Sequence, residues 1–265
     1  MQVTVKHQSE LYALAERFQP FGKLWLVDIE PSPHRQWRRP DSGGTSHDLQ
    51  VVVLGKSGYG KSSLINALTG GRYMQTSDVA ACTRTVQCVD YRIREGHYLS
   101  LADLPGLGES ADRDAEYLPL YARMLAKADL TLYVLRADSR DLAIDEQAFA
   151  RLFPTPAQRA RVILVVTACD KAAPVQRAAA REPSPAQMQT IEARLASLRR
   201  QFPDVARIVP CSADTGWNLE RLCDTLVEQL LCSEGVTDLA QHFTQPLIAM
   251  QRMLKAVDRF MAHWG

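Results

Sequence analysis

Residues 55–63 read GKSGYGKSS and lie between the apolar run LQVVVL (49–54) and LINALTG (64–70). The spacing from Gly55 to Gly60-Lys61-Ser62 fits the phosphate-binding loop G-x-x-x-x-G-K-[ST]. Glycines let the backbone amides turn inward and approach phosphate oxygens, and the helix that follows adds the partial positive charge of its N-terminus. The motif therefore demands a strand, a tight loop and a helix in that order. Lys56, Ser57, Gly58, Tyr59, Gly60, Lys61, Ser62 and Ser63 are the expected phosphate-side residues. Lys61 would reach the terminal phosphates, and the Ser62 hydroxyl would ligate Mg²⁺. Neither the nucleotide nor its fate is contained in this loop.

The rest of the chain supplies the matching alternation. Strand-like LQVVVL is followed by helix-like KSSLINALTG (61–70), then by VQCVDYRI (86–93) and HYLSLAD (97–103), which read as a hairpin around Arg94-Glu95-Gly96. A helical 113–127 leads into strand-like 128–138, a helical 141–152 into RVILVVTACD (161–170), and a helical 185–201 into ARIVPCSA (206–213), before a last helix over 217–232. Such alternation predicts an α/β sheet, parallel except at the hairpin, with ligands at the carboxyl ends of the strands. Residues 172–186 read as a surface loop.

Apolar residues make up 46% of the 265-residue chain, enough for one large core, and the net charge of +1 implies no general attraction to nucleic acid or acidic lipid. The six cysteines form no C-x-x-C pair, so buried, reduced thiols are expected. The N-terminus has no signal-peptide pattern, and no apolar run approaches ~18 residues, so a cytoplasmic protein without stable membrane insertion is the expectation.

A second motif, Asp103-Leu104-Pro105-Gly106, ends the strand-like HYLSLAD. Asp103 there can hold Mg²⁺ through water, and the Gly106 amide can touch a γ-phosphate. The order of phosphate loop, D-x-P-G, [NT]-x-x-D and S-A resembles that of translation-factor-related GTPases, closest to the Era, EngA and TrmE group and to bacterial relatives with G-K-[ST]-G-x-G-K-S loops. The resemblance covers residues 49–232. It implies a P-loop NTPase G domain: a mostly parallel six-stranded sheet with one antiparallel edge strand. Residues 1–48 would form an N-terminal helical extension and linker, and 233–265 a C-terminal helix.

The same resemblance implies a nucleotide and a metal. Thr167-Ala168-Cys169-Asp170 stands where the family reads guanine, and Asp170 would accept bonds from the ring N1 and exocyclic amine. Adenine would leave that carboxylate unpaired, at a cost of about 1–3 kcal/mol or more. The family's lysine is Ala168 here, and Lys171 is an imperfect substitute one place later. Ser212 and Ala213 occupy the S-A position, where a backbone amide meets the guanine oxygen. GTP or GDP with Mg²⁺ is thus the implied cofactor set. Thr83 in Cys82-Thr83-Arg84-Thr85 aligns with the first-switch threonine that closes over Mg²⁺, with Thr85 as the alternative. Lys61, Thr83 and Gly106 form the expected catalytic set, and Ser62, Thr83 and Asp103 the metal set.

Two departures bear on catalysis. Leu107 follows the D-x-P-G glycine where many signalling GTPases carry a water-orienting glutamine. Gly58 stands where Era- and TrmE-like loops often carry a potassium-binding asparagine. Both predict slow hydrolysis assisted by a partner or by self-association, with Glu109, Asp112 and Arg113 as further candidates near the water. The expected function is a Mg²⁺-dependent GTP switch acting on a protein or ribosomal partner, with a homodimer also compatible. The alternatives are a non-catalytic guanine-nucleotide adaptor that assembles through its terminal helices and, further off, an ATP-dependent phosphoryl-transfer enzyme. His34-Arg35-Gln36-Trp37-Arg38-Arg39 offers weak support for nucleic-acid contact. An apolar stripe over 237–262 predicts a long amphipathic helix interrupted at Pro246.

Overall fold

The computed structural model describes residues 28–30, 48–69, 74, 86–94, 97–175 and 181–232. Most of the N-terminal extension expected over 1–48, the basic-aromatic cluster at 34–39, Thr83, Thr85 and the C-terminal stripe lie outside the described residues.

Strands β1 (Asp28–Glu30), β2 (Asp48–Gly55), β3 (Gln87–Arg94), β4 (His97–Asp103), β5 (Leu130–Arg136), β6 (Val162–Thr167) and β7 (Arg207–Pro210) form one sheet in the order β1-β3-β4-β2-β5-β6-β7. The expected six strands are β2 to β7. Among them β3 alone runs against its neighbours, pairing antiparallel with β4, while β2, β4, β5, β6 and β7 are parallel. Three residues of the N-terminal segment add a further strand, β1, antiparallel to β3 in the register Asp28↔Arg92 to Glu30↔Asp90. That pairing covers the edge that β3 would otherwise present to solvent, a common way of blunting an open ladder.

Helices α1 (Lys61–Thr69), α2 (Ala111–Leu125), α3 (Ala143–Leu152), the short α4 (Pro156–Arg159), α5 (Pro185–Gln201) and α6 (Leu219–Cys232) connect and cover the strands. Their starts are written locally. Ser184 accepts from the Gln187 N–H while the Gln187 side chain reaches back to the Ser184 backbone, with Pro185 at the first helical position. Thr155, Pro156 and Gln158 repeat this capping box at α4. Ser110 caps α2 by accepting from the Arg113 N–H.

The central strands have no polar face. Every residue of β6 is buried, as are the first six of β5, which is the continuous apolar pattern of parallel strands covered on both sides. Leu64, Ile65 and Leu68 of α1 and Leu222, Leu226 and Leu230 of α6 are buried to 1% exposure or less. Tyr133 of β5 meets Phe149 and Phe153 around α3 and Phe202 beyond α5, with ring centroids 5.6, 6.3 and 6.4 Å away. This aromatic knot ties two crossover helices to the strand beside the phosphate loop, each contact adding about 0.5–1.5 kcal/mol beyond area burial.

Gly55 ends β2 opposite Val134 of β5. Its φ is +154°, and a Cβ there would lie 2.3 Å from the Val134 carbonyl oxygen. Backbone cannot yield as a side-chain tip can. Gly55→Ala is therefore expected to cost about 3 kcal/mol or more and to lower the thermal midpoint by roughly 6–12 °C. A midpoint equal to wild type in differential scanning fluorimetry would refute this account of the strand end.

Candidate functional site

The carboxyl ends of β2, β4, β5, β6 and β7 converge on one edge, and nearly every residue singled out by the motifs lies there. Leaving β2, the loop 55–60 curls back on itself with Tyr59 N–H donating to the Lys56 carbonyl at 3.3 Å, and α1 begins with Leu64 N–H on the Gly60 carbonyl at 2.8 Å. Lys61 is only 6% exposed, and its Nζ donates to the Lys56 carbonyl at 3.2 Å. Burial pulls its ammonium below the usual lysine range, opposed by the negative charges of Asp103 and Glu109. A buried cation with one carbonyl acceptor inside a ring of backbone amides suits an arriving polyphosphate.

At the mouth of α1, Ser62 Oγ donates to Asp103 Oδ2 across 2.5 Å. Asp103 is fully buried at the end of β4, which places a hydroxyl and a carboxylate, both hard oxygen donors, side by side. That pair fits Mg²⁺, which accepts few protein ligands and keeps several waters. The D-x-P-G segment continues against the loop: Leu104 N–H donates to Val53, Leu107 N–H to Gly55 and Ser57 N–H to Leu107, at 3.0–3.1 Å. Gly106 lies so close that a Cβ would be 2.6 Å from Ser57 Cα. The phosphate-loop motif and the D-x-P-G segment are thus laced by main-chain bonds, and only glycine fits between them.

Beyond Leu107, which is 5% exposed, the three charged candidates separate. Arg113 is half-exposed and holds Glu109 at 2.7 Å, whereas the Glu109 side chain is 7% exposed with its Oε1 buried and lacking a hydrogen-bond partner. Asp112 is exposed.

At the other end of the edge, Asp170 receives the Ser212 hydroxyl at 2.6 Å, and Ser212 Oγ in turn accepts from the Thr215 N–H at 3.2 Å. Cys169 N–H donates to the Cys211 carbonyl, and Gln187 Nε2 donates to the carbonyls of Asp170 and Ala172 at 3.0 Å. The β6 and β7 loops are therefore cross-tied around one carboxylate. Lys171 spans them on the outside, its Nζ 3.0 Å from Asp214 Oδ2, both side chains being well exposed. Ala168, at the position of the absent lysine, adopts a left-handed conformation (φ 55°, ψ 36°), which costs about 1–2 kcal/mol for a residue with a Cβ. Ala213 follows Ser212 as a half-buried residue of the same loop.

Thr167, at the start of the base-reading motif, turns its side chain toward the phosphate loop. Its buried hydroxyl points to the phosphate loop and donates to the Tyr59 carbonyl at 2.8 Å, with the Leu135 carbonyl at 3.1 Å. Arg136, at the end of β5, donates to the Gly58 carbonyl at 3.2 Å while Asp138 holds its other nitrogens at 2.8 Å. Tyr59 turns its ring inward, with its hydroxyl 3.0 Å from Ser139 Oγ and 3.1 Å from Asp145 Oδ2. Asp145 is fully buried on α3. No sequence motif marked Arg136 or Asp145, because both act through contacts about 80 residues away along the chain.

Comparison with known proteins follows the same outline. The family model described as "50S ribosome-binding GTPase" matches residues 50–168. YkfA of Escherichia coli K12 is 36% identical over 187 residues, covering 70% of this chain and 63% of that protein. The chain therefore spans less than two thirds of that relative's length. The probable GTP-binding protein EngB of Myxococcus xanthus is 31% identical over 140 residues, covering 50% of this chain and 68% of EngB. Era from Aquifex aeolicus, solved with GDP and AlF₄⁻, superposes with a TM-score of 0.55 at 23% identity over 69% of this chain and 56% of that one, a likeness of fold.

Burial raises the Asp145 carboxyl to about 6, against the hydrogen bond from Tyr59 and the charge of Lys56, which lower it. Between the unfolded value near 4 and this folded value, the folded protein holds a proton that the unfolded chain has released. The group therefore contributes stability at low pH that is lost as pH rises through about 6. Asp145→Asn abolishes this titration. Relative to wild type, the variant should gain roughly 1–2 kcal/mol between pH 5 and pH 8 in urea unfolding. Parallel pH profiles would show that the carboxylate is not desolvated.

Proposed function

Because the chain belongs to the P-loop GTPases of the Era-like, 50S ribosome-binding GTPase family, we propose that it binds GTP and GDP with Mg²⁺ and slowly hydrolyses GTP as a molecular switch for a partner. The observation that carries this reading is the pairing of two preassembled carboxylate–hydroxyl couples on one sheet edge. Ser62–Asp103 stands beside the phosphate loop and Ser212–Asp170 at the base loops.

Each couple has a task. Lys61 and the amides of residues 58–62 would hold the phosphates, and Ser62 and Asp103 would hold the metal. Held by Ser62 and Asp103, Mg²⁺ would supply positive charge against the negative charge that grows on the leaving diphosphate. Asp170, kept in place by Ser212, would accept from the guanine N1–H and amine, and the Ala213 amide would donate to the ring oxygen. Thr83 is proposed to close over the γ-phosphate, and Gly106 to sense it through the main-chain lacing to Ser57. Loss of that phosphate would release both segments, an order–disorder switch. A ribosomal or RNA partner is supported by the family description alone, and self-association is an equal route to faster hydrolysis.

Leu107 favours a second reading. A buried leucine cannot align water, so the chain would serve as a guanine-nucleotide-dependent adaptor without turnover. Multiple-turnover phosphate release separates the two: the switch requires a rate above a Lys61→Ala control at some protein concentration. Equality with that control throughout would overturn the enzyme reading.

Base choice has its own test. Asp170→Asn is expected to weaken GDP binding by about 10- to 100-fold and to favour xanthosine diphosphate, whose ring presents a carbonyl where guanine has an amine. Unchanged GDP affinity by isothermal titration calorimetry would remove Asp170 from base recognition.

A further inference from the structure

We infer that Asp145 is a positioning residue for the phosphate loop, acting through Tyr59 as a strut that sets the height of the loop's apex. The inference rests on the guanine-nucleotide reading above and adds a part of the site that no motif carries.

Tyr59 lies between Gly58 and Gly60 at the top of the loop, yet it is only 7% exposed. Its ring goes down beneath the loop instead of out to solvent, with Lys56 Nζ 5.6 Å from the ring centroid. The phenol ends on Asp145 of α3 and on Ser139 of the β5–α3 connection. While Asp145 is ionised, its carboxylate only accepts, so the single phenolic proton goes to Oδ2, and the one Ser139 hydroxyl proton has both the phenol oxygen, at 3.0 Å, and the Asp141 carbonyl, at 3.3 Å, within reach. Tyr133 of β5 fixes the same stretch of α3 by donating its hydroxyl to the Asp145 carbonyl at 3.2 Å. Arg194 of α5 fixes the other partner by donating to the Ser139 carbonyl. The strut therefore has a rigid foot.

Its upper end is equally defined. Thr167 holds the carbonyl of Tyr59, and Arg136 holds that of Gly58, so both apex carbonyls face away from the phosphate side. Carbonyls drawn outward leave the amides of the following peptides turned inward, which is the arrangement an anion needs. Side chain and main chain of Tyr59 are thus anchored in two different strand–helix units. An apex fixed before the nucleotide arrives pays no ordering cost on binding.

The arrangement is expensive as packing alone. Asp145 is fully buried, and its Oδ1 has no hydrogen-bond partner. A leucine or phenylalanine pair would fill the same space without desolvating a carboxylate. What such a pair lacks is a directional acceptor for the phenol.

The experiment uses the full chain and fluorescent GDP at 15 °C, where folded protein is verified by circular dichroism. Wild type must first bind GDP, and failure there would count against the nucleotide reading and not against the strut. Given binding, Tyr59→Phe, which deletes one oxygen atom, should raise the GDP dissociation constant by about tenfold, mostly through faster release. Asp145→Ala should do the same, while Asp145→Asn, which keeps an acceptor for the phenol, should stay within about threefold of wild type. The double variant Tyr59→Phe/Asp145→Ala should be no weaker than either single one, since both cut the same strut. A merely structural role would lower the thermal midpoint and leave the dissociation constant of the folded protein unchanged. Tyr59→Phe binding within twofold of wild type would overturn the inference, even if Asp145→Ala fails to fold.

Discussion

The phosphate loop has more main-chain groups than it can satisfy by itself. A turn that aims its amides at an anion must aim its carbonyls elsewhere, and a buried carbonyl without a donor costs about 1–3 kcal/mol. Here three of the loop's carbonyls have side-chain donors. Lys61 takes that of Lys56, Arg136 that of Gly58 and Thr167 that of Tyr59. Those donors come from α1, β5 and β6, so the loop's shape exists only when these strands are in register. The parallel pairing Gly55↔Val134 and Arg136↔Thr167 brings the strand ends level.

From that constraint the organisation of the edge follows. Gly55 has to be glycine because β5 runs against it, and Gly106 because the D-x-P-G segment lies on Ser57. The site is built from backbones in contact, with side chains added where charge must be met. At the base end the logic is the same on a smaller scale. Asp170 is oriented by the Ser212 hydroxyl, and Gln187 secures the carbonyls on either side. Electrostatics then sort the lysines. Lys61 is buried near the carboxylates of Asp103 and Glu109, whereas Lys171 is exposed and paired with Asp214.

Much of this was legible before any coordinates. The bounds of β4 (97–103) and α5 (185–201) coincide with those read from the sequence, since the apolar run ends on a carboxylate in one case and a Ser-Pro cap opens a helical pattern in the other. Among the described residues of 49–232, each strand and helix that was expected has the expected type. The four-residue α4 escaped, because so short a helix has no periodicity. The strand at 28–30 also escaped, three residues being too few to alternate. In the site, Thr167 was marked by its place in a base-reading motif, which did not foretell the bond from its hydroxyl to the Tyr59 carbonyl. Motif position records which loop a residue belongs to, not which way its side chain turns.

The sequence by itself determined the order of strands and helices, the phosphate loop and the two carboxylates at Asp103 and Asp170. Those depend on local spacing, on apolar runs, and on glycines that no other residue can replace. Only the tertiary structure decided that Tyr59 points inward to Asp145, that Arg136 and Thr167 hold the loop's carbonyls, and that Glu109 is buried while Arg113 is not. Hydrogen bonds between residues about 80 to 108 positions apart leave no periodic trace in a chain. They are set by which strand ends stand side by side, and that is a property of the assembled sheet.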